Sequence, residues 1–214
     1  SGSGSILTAA HGPHSTEQVE GIAHWDEAAK THGDYSQFRD RMTAEAVAAC
    51  EGALAAGATE IVVRDAHGSG RNILQEQLPR EAKLIRGWSG HPYAMVQELD
   101  SSFDAVCFVG YHGPASDPHN PLSHTNTTRW NKITLNGVDM PEYLSHAHCA
   151  ALEGVPVVFL SGDAGICSIA RDTNPQIHTV VTNDGHGESV MGLMHPEIAR
   201  ERIAAGVRAA LESD

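Results

Sequence analysis

Apolar positions along this chain come in two spacings. Short continuous runs in "TEIVVRDAHGSGRN", "FDAVCFVGYHG" and "PVVFLSGDAGI", with "ILTAA" near the start, read as strands buried on both faces, since a half-exposed strand would alternate. Between them lie stretches with helical spacing. "DYSQFRDRMTAEAVAACEGALAAGA" stops at Gly57, a glycine C-cap. "YAMVQELDSS" and "PEYLSHAHCAALEGV" follow as helices, "GICSIARDTN" pairs with the strand "IHTVVTNDGHG", and "HPEIARERIAAGVRAALES" closes the chain. Helix and strand thus alternate four times, which predicts an α/β fold: three layers, a mostly parallel sheet with helices on both faces. "SGSGS" at 1–5 reads as a linker or cloning scar, leaving 6–214 as one domain.

Ligands of such sheets gather beyond the carboxyl ends of the strands. The polar residues just past the apolar runs, Asp65, His67, Tyr111, His112 and Asp163, are therefore expected along one edge.

Charge narrows the partners. With 27 acidic against 14 basic residues the net charge is -13, and no basic patch is present to track a phosphate backbone. No apolar run approaches the roughly 20 residues needed to span a bilayer, and no signal-peptide pattern is present, so a soluble, cytoplasmic protein is expected. Four cysteines lie far apart without a CxxC pair and read as reduced thiols.

The unusual count is 14 histidines. One histidine at a strand end is more often a hydrogen-bonded structural residue than a ligand. His67 in "RDAHGSG" and His112 in "VGYHGP" end separate strands, and the fold itself would bring both to the same edge. Neutral imidazoles with carboxylates suit zinc. His124, in the loop "NPLSHT", is within reach of that edge, while Glu142 opens a helix, where a carboxylate can simply complement the dipole. Nucleotide loops of the GxxxxGK[ST] or GxGxxG type are missing, as is a GxSxG elbow; Ser69 and Ser161 leave a serine hydrolase as a weak alternative.

Taken together, "VEGIAHWDE", "EIVVRDAHGSGRN", "LIRGWSGHPYAMVQELD", "FDAVCFVGYHG", "NPLSHT" and "LNGVDMPEYLSHA" resemble the D-aminopeptidase family of dinuclear zinc peptidases, the DppA-like enzymes, from about Val19 to the end. The resemblance implies metal ligands at Glu20, His67, His112 and Glu142, a catalytic histidine at His124, one or two Zn2+ ions and a small peptide substrate cleaved at its N-terminal amide. Three departures stand out. Gln18 occupies the place of the family's bridging Asp, behind a segment that carries His11 and His14. His146 and His148 stand where the family usually has Asn and Tyr, and His146 shares a helical face with Glu142. The family's further C-terminal segment is missing, so a homo-oligomer, if formed, is expected to be smaller than the family's ring. An altered first motif also admits a scaffold that binds metal or a small ligand without peptidase turnover.

Overall fold

The computed structural model of the chain describes residues 4–10, 35–117, 120, 123–186 and 190–213. In chain order the strands are β1 (Ser5–Ala10), β2 (Glu60–Asp65), β3 (Ala82–Ile85), β4 (Ala105–Tyr111), β5 (Thr134–Leu135), β6 (Val138–Asp139), β7 (Val157–Asp163), β8 (His178–Gly185) and β9 (Met191–Leu193). The helices are α1 (Tyr35–Ala55), α2 (Glu142–Glu153), α3 (Ala164–Thr173) and α4 (Pro196–Glu212). Seven strands form one sheet in the order β3-β2-β1-β4-β7-β8-β9, with every pairing parallel except that of β8 with β9. The expected α/β architecture is therefore present, and strand order reverses between β1 and β4, the kind of crevice in which such folds place ligands.

Continuous apolar runs make sense in a sheet covered twice. On one face α1 and α4 pack through Phe38, Met42, Ile203 and Val207 onto Ile61, Val63, Cys107 and Phe159. On the other, α2 and α3 bring Tyr143, Leu144 and Ile166 against Leu7, Val62, Phe108 and Leu160. Each large aliphatic or aromatic side chain so buried contributes about 1.5–3 kcal/mol. The thiols of Cys50 and Cys107 lie fully inside the first of these layers, and burial pushes both up to about 12, consistent with inert, reduced cysteines.

Three details depart from the sequence reading. Strand β1 takes in Ser5, the last residue of the segment read as a linker, and its N–H donates to Asp104 at 2.7 Å. The stretch "YAMVQELDSS" forms only a single 3-10 turn over Ala94–Val96 instead of a helix. Its backbone closes tight turns, with the Val96, Gln97 and Leu99 N–H groups each bonded three residues back, while the Met95 N–H donates to the ring of His146 on α2 and the Gln97 side-chain carbonyl accepts from the Ser89 backbone and hydroxyl. The third is the antiparallel strand β9 at the sheet's edge, joined to β8 through Asn183, Asp184 and Gly185.

At the end of β4 the alternation breaks. Phe108 and Tyr111, three residues apart, face the same core layer, and the pairing of β4 with β7 shifts register between them. Gly110 sits in the interruption with φ 76°, a conformation that costs glycine little and other residues more. The bulge sets the direction in which the chain leaves the sheet toward His112.

Candidate metal centre

His112, His124 and Glu142 converge although they come from three separate pieces of chain, namely the end of β4, the loop after it and the first turn of α2. Each offers a donor atom within 4.8 Å of the other two. The Glu142 carboxylate lies between the imidazoles: Oε1 is 3.7 Å from His124 Nε2, and Oε2 is 3.9 Å from His112 Nε2. The two rings stand 4.4 Å apart, tilted by 34°. His112 and Glu142 are buried, while His124 keeps 22% of its side chain in contact with solvent.

Local structure explains the aim of each group. Glu142 is the first helical residue after the cap Pro141, so its charge sits at the positive end of α2. Its Oε1 accepts the Asn126 backbone N–H at 2.7 Å, and Asn126 adopts φ 60° to present it. The loop carrying His124 is tied on both sides. The Thr125 hydroxyl accepts from the Ala115 N–H and donates to the Met140 carbonyl, while the Ser123 hydroxyl donates to the Asp117 carbonyl. His112 Nδ1 lies 2.9 Å from the Gly113 carbonyl, which can only accept. Nδ1 therefore carries the proton, and Nε2 presents its lone pair to the cluster.

The remaining expected residues fall into three groups. His67 is 5% exposed and packs its ring 5.0 Å from that of Phe38, just beyond β2; it is not part of the three-residue group. Its backbone is clamped, because Asn72 Nδ2 donates to both the His67 carbonyl and Asp65 Oδ1. The other carboxylate oxygen of Asp65 accepts from the Asn72 and Ile73 backbone, so Asp65 shapes the His67 loop. Glu20, with His11, His14 and Gln18, lies outside the described residues. His146 shares the face of Glu142 but commits both ring nitrogens to backbone: Nδ1 to the Glu142 carbonyl at 2.5 Å and Nε2 to the Met95 N–H at 3.3 Å. His148 is exposed and lines a groove with Ala151 and Asn174 on the outer side of α2.

Sequence reasoning missed two contributors. The Asn126 amide acts through its backbone and leaves no residue-type signal. Asp163 was visible at the edge, but its partners, Gly113 and Asn120, are far away in sequence. Beneath the cluster lies Tyr111, whose hydroxyl is held well above its usual range, first by burial and then by the charge of Glu142; it stays a neutral phenol.

The His112 imidazole nitrogen and the Glu142 carboxylate, with a second imidazole beside them, fit a divalent cation of zinc's type by donor chemistry. Donors around a tetrahedral zinc stand about 3.3 Å apart, so the 3.9 Å between His112 Nε2 and Glu142 Oε2 requires only a small contraction.

Comparisons with known proteins show what the chain is similar to. A family model described as D-aminopeptidase, peptidase family M55, matches residues 16–214. The D-aminopeptidase of Bacillus subtilis (strain 168) is 29% identical over 180 residues, covering 84% of this chain and 65% of the relative; the chain thus spans slightly less than two thirds of that relative's length. Among solved structures, the Zn-dependent D-aminopeptidase DppA from Bacillus subtilis, a self-compartmentalizing protease, superposes with a TM-score of 0.85 at 26% identity, over 97% of this chain and 74% of its own.

Proposed function

Because the chain belongs to the D-aminopeptidase family, we propose that it is a zinc-dependent hydrolase that cleaves the N-terminal amide of short peptides, among them peptides beginning with a D-residue. The observation that carries this reading is the convergence of His112, His124 and Glu142 at the carboxyl edge of the parallel sheet. His112 and Glu142 serve as metal ligands, joined by His67 and, from the segment outside the described residues, Glu20.

When bound, zinc in such a donor set supplies a Lewis acid for the scissile carbonyl and lowers the pKa of a water molecule toward neutrality. The chain's own groups do the rest. The Asn126 N–H at the N-terminus of α2 fixes the Glu142 carboxylate in place. His112 is held as the Nδ1–H tautomer by Gly113. His124, the most exposed member of the cluster, receives and returns a proton at Nε2 as the amide is attacked and the amine departs. The proposal includes a soluble, cytoplasmic protein; no helix among the described residues is long and apolar enough to cross a membrane. Self-assembly is also part of it, since the structural relative is described as self-compartmentalizing.

Zinc analysis of the purified chain beside a panel of short peptides with D- or L-residues at the N-terminus tests the proposal. Bound zinc with cleavage that a chelator abolishes is expected. One observation favours a second reading, a metal- or ligand-binding scaffold without turnover: Gln18, an amide, stands at the family's bridging carboxylate. Zinc binding without cleavage of any peptide in the panel would select it.

A further inference from the structure

The stretch "GDAG" at 162–165 has no part in the proposed chemistry, yet its aspartate is 2% exposed and fully engaged. Asp163 is the N-cap of α3, and Oδ1 accepts the Ile166 N–H at 2.7 Å. A cap needs one oxygen, and serine, threonine or asparagine would supply it equally well. The second oxygen has other work. Oδ2 accepts the Gly113 N–H at 2.8 Å and the Asn120 side-chain amide at 2.5 Å.

Gly113 is the residue whose carbonyl fixes the His112 ring. Gly113 is therefore held at both ends: its N–H by a buried carboxylate, its carbonyl by the imidazole. Asn120 belongs to the same loop that runs on to His124, and its backbone carbonyl accepts the Ser123 N–H at 3.0 Å. One carboxylate thus anchors the chain on both sides of the turn that separates the two histidines. Close approach of β4 and β7 makes this reach possible. A Cβ on Gly162 would lie 2.1 Å from the Tyr111 carbonyl oxygen, so the strand carrying Asp163 is pressed against the one that ends at His112.

We propose that Asp163 is a positioning residue for the metal centre: through Gly113 it fixes the ring orientation and tautomer of His112, and through Asn120 it holds the loop that delivers His124. This rests on the zinc-hydrolase reading for its consequence in catalysis, but the positioning itself is a property of the metal-free chain. Outer contacts of this kind typically alter metal affinity or activity by about 10- to 100-fold.

Two variants separate positioning from capping. Asp163→Ser keeps an oxygen for the Ile166 N–H and loses the reach to Gly113. Asp163→Asn keeps the shape but, with its oxygen on the cap, turns an NH2 toward two donors. The first measurement is a long-range 1H–15N NMR spectrum of the metal-free chain at a pH where imidazole is neutral. The parent is expected to show His112 as a single Nδ1–H tautomer, and both variants a mixture with the Nε2–H form. The second is cobalt(II) titration, read as affinity and as the visible absorption band. Both variants should bind cobalt about 10- to 100-fold more weakly with a shifted band, while the metal-free Asp163→Ser protein keeps the parent's far-UV circular dichroism and a cooperative melt, at a lower midpoint because two buried donors lose their acceptor. An unchanged His112 tautomer in both variants would overturn the proposal, and so would parent-like cobalt affinity and absorption in both. If the parent takes up no cobalt, the zinc-hydrolase reading fails, and the NMR comparison still decides the role of Asp163.

Discussion

Two buried glutamates show what separates a site from a packing seam. Glu142, 2% exposed, has a backbone N–H, a helix N-terminus and two imidazoles around its carboxylate. Glu45, 7% exposed, lies on α1 near Arg200 of α4, and its Oε2 has no hydrogen-bond partner among the described residues. Burial pushes the Glu45 carboxyl up to about 8, an effect that the charges of Arg200 and Arg41 only partly offset. Both groups have lost water. Only Glu142 has exchanged it for an arrangement of partners that a cation would complete, so convergence of donors, not burial, identifies the centre.

The comparison breaks most decisively at the metal. Glu142→Ala and His112→Ala should each abolish peptide cleavage and leave the dialysed chain without zinc, as read by metal analysis. A variant of either kind that kept full zinc content and turnover would remove the site assignment. Next in size, His124→Ala should lower kcat by roughly 10²- to 10⁴-fold with zinc content unchanged, as expected for a proton-handling group. Loss of zinc instead would make His124 a ligand, a role its 3.7 Å approach to Glu142 permits.

The seam answers to pH. Burial raises the Glu45 carboxyl from its ordinary 4.5 to about 8 in the folded chain, which therefore binds the proton more tightly than the unfolded one. Stability from this group is complete below about 4.5, declines as pH rises through the interval, and is lost above about 8. Glu45→Gln should remove that decline and raise stability at pH 9 by at least about 1 kcal/mol, some 2–4 °C in Tm for a chain of this size. Equal pH profiles for parent and variant would show that Glu45 is hydrated or paired in solution. The smallest effect belongs to an exposed pair on the same helix layer. Arg208→Ala, which breaks the 2.8 Å contact with Glu212 one turn away, should change stability by no more than about 0.5 kcal/mol in a melting experiment.

Much of the scaffold was legible because its cause is local. Runs such as "EIVVRD" and "AVCFVGY" can only be strands covered on both faces, and the helical spacing of 35–55 and 196–212 needs no tertiary information. The same logic placed His67 and His112 at one edge. It failed at 93–102, where the backbone closes three-residue turns over Ala94–Val96 instead of continuing as a helix. It was equally blind to the Asn126 amide and to the second oxygen of Asp163, since both act across gaps of 16 to 50 residues that leave no period in the sequence. His146 is instructive in the opposite direction. Its spacing pointed at the centre, but both its nitrogens serve the backbone.

The bulge at Gly110 has a consequence for anyone who would rebuild this protein. A strand without it would transmit every change of pleat along its length, so re-registering the core would rotate whatever the strand carries at its tip. With Val109 and Gly110 set against the single Ser161 of β7, the barrel of the tool and its bit are joined by a swivel. Changes of core packing at 105–108 are therefore expected to reach the imidazole beyond the joint in weakened form.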